Sequence, residues 1–193
     1  MFIQTEATPN PATLKFLPGQ EVVGTGSVVD FSDSSTAQRS PLAAKLFEID
    51  GVTGVFLGSD FISVTKNDEE WAHLKPVVLG AIMEHFMSGA PVLAAAEGES
   101  DGAAPGHSSH TDYAGADVEI VDQIKEILDT RVRPAVAQDG GDITFDRYES
   151  GTVFLHMRGA CAGCPSATIT LQSGIENLLK HYIPEIDRVE QAL

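Results

Sequence analysis

The sequence predicts an α+β fold: two small two-layer α/β-sandwich domains joined by a flexible linker. Residues 94–116 are dominated by Ala, Gly, Ser and Pro and nearly lack large apolar side chains, so they cannot bury enough surface to order themselves. On either side, short runs of strand-forming residues alternate with stretches whose apolar positions recur every three or four residues. A chain of 193 residues with 42% hydrophobic content has enough apolar material for a core in each of two small domains. The expected division is residues 1–93, a tether over 94–116, and residues 117–193.

In the first domain, residues 2–6 and 13–17 read as strands around Thr8-Pro9-Asn10-Pro11, whose prolines cannot donate to a ladder. Residues 22–31 supply a further expected strand. Ser40 and Pro41 open a short helix as cap and first helical residue. Residues 52–57 and 61–65, joined through Gly58-Ser59-Asp60, form an expected hairpin. A helix follows, with Leu74, Val78, Ile82 and Phe86 on one stripe and Asp68, Glu69 and Glu70 where the helix dipole favours negative charge. Pro76 falls early enough in it to be tolerated. Trp71 and Phe86 are assigned to the core.

The second domain opens with an amphipathic stripe of Ile120, Ile124, Ile127 or Leu128, and Val132, which Pro134 bends or ends. Asp139-Gly140-Gly141-Asp142 suits a helix exit that needs positive backbone angles, and lacks the Lys or the oxygen ligands of a phosphate or calcium loop. Residues 143–148 and 152–157 form a hairpin across Glu149-Ser150-Gly151. Leu171, Ile175, Leu178 and Tyr182 mark a second helix, and residues 186–189 return as an edge strand after Pro184.

Acidic residues number 28 against 12 basic ones, and no basic stripe interrupts them, which excludes nucleic acid as a partner. The balance is spread evenly: 11 acidic and 5 basic residues before the tether, 13 and 7 after it. No stretch approaches the roughly 20 apolar residues that span a bilayer, and the first residues lack a secretory signal, so no membrane is expected.

The chemistry concentrates in the chain's two cysteines, Cys161 and Cys164, between a strand and a helix. Two cysteines in so long a chain argue against a disulfide-stapled secreted scaffold and for reduced thiols. A helix start lowers thiol pKa, so both are expected to be reactive. Zinc and iron-sulfur sites take about four ligands, twice what this chain offers, so a metal reading demands a second chain, and a two-fold dimer brings two copies of the pair together. Spacing alone leaves three readings open: an iron-sulfur site, a zinc clasp across a dimer, and thiol-disulfide exchange.

Residues 128–142, from Leu128-Asp129-Thr130-Arg131 to Asp139-Gly140-Gly141-Asp142, together with residues 159–167, resemble the C-terminal domain of the NifU-like (Nfu) iron-sulfur proteins. Met1-Phe2-Ile3-Gln4-Thr5-Glu6, Thr8-Pro9-Asn10-Pro11, Thr13-Leu14-Lys15-Phe16 and Gly51-Val52-Thr53-Gly54-Val55-Phe56 resemble that family's N-terminal domain. The resemblance implies a non-enzymatic scaffold or carrier that binds a 4Fe-4S cluster between two subunits and hands it to apo proteins. It implies Cys161 and Cys164 as the ligands, a homodimer or higher oligomer when loaded, and a cysteine-free first domain that recognises apo iron-sulfur proteins or upstream assembly factors. The start of the chain lacks the Arg-rich, Ser-rich leader of organellar relatives, so the expected location is cytoplasmic, in a bacterial-type or already trimmed form.

His107 and His110 fall in the tether without fixed geometry. His156, on a strand five residues before Cys161, is the one histidine placed to approach the dithiol. Arg131 and Arg133 are expected to pair with Asp139 or Asp142, to touch acidic groups of a partner, or to stay solvated.

Overall fold

The structure, a computed structural model, describes residues 2–24, 27–94, 116–162 and 165–192. Its elements form two sheets, each with helices packed on one face. The expected tether lies, apart from its end residues, outside the described residues, as do His107 and His110.

The first sheet contains β1 (Gln4–Ala7), β2 (Thr13–Leu17), β3 (Val29–Phe31), β4 (Val52–Leu57) and β5 (Ile62–Lys66), in the order β1-β2-β5-β4-β3 with every pair antiparallel. Helices α1 (Pro41–Phe47) and α2 (Trp71–Ser88) cover one face. Alternation decides which side chains meet them: Phe16, Val55, Leu57, Ile62 and Val64 join Leu42, Leu46, Val78 and Ile82 in one core. The start of α1 is as expected, since the Ala43 amide donates to Ser40 Oγ at 3.1 Å and Pro41 takes the first turn, where its missing N–H costs nothing. Trp71 and Phe86 are half-buried against this core, with Trp71 Nε1 donating to the Pro11 carbonyl at 3.1 Å. The strand expected over residues 22–31 shrinks to Val29–Phe31: Gly24 turns the chain at φ 95°, while Thr25 and Gly26 lie outside the described residues.

The second sheet contains β6 (Gly141–Glu149), β7 (Thr152–Gly159) and β8 (Arg188–Gln191), in that order. Its hairpin turns through Ser150 and Gly151 at φ 46° and 82°, the doubly positive geometry that matches strand twist. A bulge between Phe145 and Arg147 lets Phe145 and Tyr148, three residues apart, both face the core. Helices α3 (Ala116–Ile127), α4 (Arg133–Gln138) and α5 (Pro165–Tyr182) accompany this sheet. Pro134 does not end the first helical run. A π turn over Leu128–Val132 separates α3 from α4, and its extra residue re-phases the helix where proline has no N–H to give, keeping Leu128, Val132 and Val136 all buried. The returning strand, β8, pairs with β7 in parallel, because α5 carries the chain back across the sheet before it begins.

Candidate metal centre

Cys161 stands two residues past the end of β7, in a turn that Gly159 initiates at φ 61°. The turn is closed by main-chain bonds: the Cys161 amide donates to the Arg158 carbonyl at 3.3 Å, Ala162 to Gly159 at 3.1 Å, and Ala160 to Gly140 at 3.2 Å. The last of these ties the turn to the Gly140-Gly141 corner that opens β6. Gly141 is required there, because a Cβ at that position would stand 2.5 Å from Cys161 Sγ. The sulfur therefore packs on bare backbone and joins the core of the second domain, with 6% of the residue exposed.

For Cys161 this corrects the expectation that the helix start activates the thiol. Burial, reinforced by the carboxylates of Asp139 and Asp142, pushes the Cys161 thiol up to about 12 from an ordinary 9.0. Thiolate formation is then harder by about 4 kcal/mol, and the favourable end of α5 does not offset it, since the helix begins four residues later at Pro165. Cys164 lies outside the described residues, so of the expected pair only Cys161 has a described environment. Among the described residues no group of three or more His, Cys, Asp or Glu is placed to hold a metal ion.

The first domain packs against this turn. On the sheet face opposite α1 and α2, strand register aligns Glu6, Lys15, Ser63, Phe56 and Asp30 in a single cross-strand row. Lys15 Nζ donates to the Gln138 carbonyl at 2.9 Å and Ser63 Oγ to the Gly140 carbonyl at 2.7 Å. From the β1–β2 turn, Asn10 Nδ2 donates to the Ala162 carbonyl at 2.9 Å. Phe56 lies so close to Gly159 that a Cβ there would meet its ring at 2.9 Å. At the end of the row the Asp30 carboxylate accepts from the Gly159 amide and faces Arg158. Asp30 keeps much of its surface in solvent, yet crowding by the second domain strips water from the carboxyl, outweighs both partners and holds its pKa above the usual carboxylate value.

The other expected residues fall elsewhere. His156 pairs with Asp146 at 3.0 Å on the outer face of the second sheet, whereas Cys161 joins the core on the other face. Arg131 stacks over Tyr182. Arg133 is the structural arginine, bonded through Nε and Nη2 to both oxygens of Asp142 at 2.8 and 3.2 Å and to Asp129 at 3.1 Å. Because Asp142 is 3% exposed and follows Gly141, this pair fixes the corner on which the sulfur rests. The Asp139-Gly140-Gly141-Asp142 segment is thus a structural corner, with Gly140 at φ 81°.

Sequence reading missed the row on the first sheet. A signal for it exists in Val55-Phe56-Leu57 and Ile62-Ser63-Val64, where buried residues run without the polar alternation of a sheet that has one face in water.

Comparison with known proteins follows this division. Residues 3–89 match the family described as scaffold protein Nfu/NifU N terminal, and residues 124–190 match the NifU-like domain. Proteins named NFU1 iron-sulfur cluster scaffold homolog, mitochondrial, are similar throughout: that of Drosophila sechellia is 50% identical over 192 residues, covering 99% of this chain and 65% of its own length. That of Drosophila grimshawi is 50% identical over 191 residues, with 98% and 61% covered. The chain thus spans somewhat under two thirds of these relatives. The solved structure of a NifU-like protein from Saccharomyces cerevisiae aligns with a TM-score of 0.44 and 28% identity over 49% of this chain and 86% of that one. The mitochondrial names of the relatives overturn the cytoplasmic location expected from the start of the chain; the first residues of a sequence are no guide where relatives extend beyond it.

Proposed function

Because the chain belongs to the NifU-like (Nfu) family of iron-sulfur cluster scaffolds, we propose that it receives a 4Fe-4S cluster as cargo, holds it between two subunits through Cys161 and Cys164, and passes it to apo proteins. One observation carries this reading: the chain's entire cysteine complement is one pair, in its NifU-like domain. A four-thiolate site then needs two copies of the chain. The proposed division remains residues 1–93 for partner recognition, 94–116 as a linker and 117–193 for the cluster, and the naming of the relatives supports a mitochondrial setting.

Transfer is ligand exchange without redox chemistry. An acceptor thiolate forms a bond to iron as a bond from Cys161 or Cys164 breaks, and the departing thiolate takes up a proton. Cys161 as described is a neutral, buried thiol, so it serves as a ligand only after its turn leaves the present packing. The return of that thiol to its buried state favours release. No residue is assigned a catalytic role.

Anaerobic reconstitution with iron and sulfide tests the reading. The expected product is brown, dimeric, and carries about two irons and two sulfides per chain. Stable loading of a strictly single chain without external thiols overturns it. A colourless dimer retaining zinc favours the clasp, and disulfide-reductase turnover favours the enzyme.

A further inference from the structure

We propose that the cross-strand row of the first domain is a releasable lid on the turn over Gly159–Ala162, so that the chain alternates between a closed form with Cys161 sequestered and an open form that presents this turn to a second chain. This deepens the cluster reading and rests on it. The lid grips main chain rather than side chains: Lys15, Ser63 and Asn10 each donate to a backbone carbonyl, at Gln138, Gly140 and Ala162, so three side-chain donors span both segments that flank the sulfur. Those donors are themselves buried, at 7%, 1% and 1% exposure, Lys15 and Ser63 on a sheet face that would stand in water without the second domain and Asn10 in the β1–β2 turn. The turn is shaped to be covered. A Cβ on Gly140 would meet Ser63 Oγ at 2.5 Å, and one on Gly159 would meet Phe56.

Two features make the lid releasable. Each of its polar contacts is replaced by a bond to water on opening, which leaves the burial of Phe56 and Phe61 as the main term holding it, a smaller apolar cluster than either core. It also competes with assembly, since the Gly159–Ala162 surface cannot lie on Phe56 and on the matching turn of another chain at once. Loading two chains with one cluster therefore draws the population towards the open form, and the closed form draws it back once the cluster leaves.

Alkylation of Cys161 by iodoacetamide tests the lid, using the full chain, reduced and metal-free, with Cys164→Ser so that one thiol reports. Replacing Lys15 by Met and Ser63 by Ala together is expected to speed alkylation at least tenfold; equal rates overturn the lid. Hydrogen exchange on the unsubstituted chain guards against a variant that fails to fold. The Gly159 amide, held by Asp30, is expected to exchange at least tenfold faster than that of Leu155 in the central strand, and exchange of both together, only on global unfolding, overturns the lid. With Cys164 retained, the Lys15 and Ser63 substitutions are expected to speed iron and sulfide uptake; faster alkylation without faster uptake overturns control over loading. Absence of uptake in every protein that retains Cys164 sinks the cluster reading, while faster alkylation in the Cys164→Ser proteins still supports the lid.

Discussion

The two sheets treat their outer faces in opposite ways. Each packs one face on helices, but the outer face of β6 and β7 carries Asp146, Arg147 and His156, bonded among themselves at 2.7 to 3.0 Å and left partly in water. The outer face of the first sheet instead carries Phe56, Phe61, Ser63 and Lys15, all nearly without exposure, with Lys15 Nζ over the Phe61 ring. A face of paired charges is stable in solvent. One with two phenylalanines in its midst gains by being covered, and here the Gln138–Gly140 corner and the turn over Gly159–Ala162 cover it. The lesson is that the domain without cysteines is the one shaped around the cysteine site.

The largest effect expected from breaking this arrangement is at the sulfur. Cys161→Ser or Cys164→Ser should abolish iron uptake while leaving the far-ultraviolet circular dichroism unchanged, and a retained cluster in either variant would remove the ligand assignment. Next in size is Arg133→Met, which strands Asp142 as a buried charge and should destabilise the second domain by about 3 to 5 kcal/mol in urea unfolding. A loss under about 1 kcal/mol would mean that water reaches Asp142.

The contrast between outer faces sharpens with a matched pair of truncations. Phe56→Ala should cost about 2 to 4 kcal/mol and loosen the Gly159 amide, whereas Phe154→Ala, half-buried beneath Arg147, should cost about 1 kcal/mol and leave that amide alone. Equal costs would erase the distinction between the two faces.

The smallest effect is one of pH and belongs to the first domain. His85 is buried with Nε2 unpartnered, and desolvation, with help from Lys45, lowers its pKa below the ordinary 6.5. The folded state thus resists a proton that the unfolded state accepts, so this stability is complete above about pH 6.5 and is lost as pH falls towards the depressed value. His85→Gln should flatten the fall in melting temperature between about pH 7 and pH 5.5, and an unchanged slope would assign the fall to other groups.

Much of this molecule is legible residue by residue. Thr13–Leu17 and Val52–Leu57 are strands with the ends their composition predicts, and Ser40-Pro41 starts a helix where its chemistry says it should, while the Cys161-Ala162-Gly163-Cys164 spacing sets up the expectation of a thiolate site. These features depend on neighbours a few positions away: a cap reaches three residues, a strand alternates every second one, and a thiol pair is local by construction. The state of Cys161 is not local. Its acidity is set by Gly141 leaving room for the sulfur and by Asp139 and Asp142, about twenty residues upstream, and the backbone on either side of it is covered by Asn10, Lys15, Phe56 and Ser63, which lie about 100 to 150 residues away in the chain. Sequence alone determined the two α+β units and the thiol pair; tertiary structure decided that one sheet keeps a second face for the turn, because burial and dielectric belong to whatever packs together in space rather than to any stretch of chain.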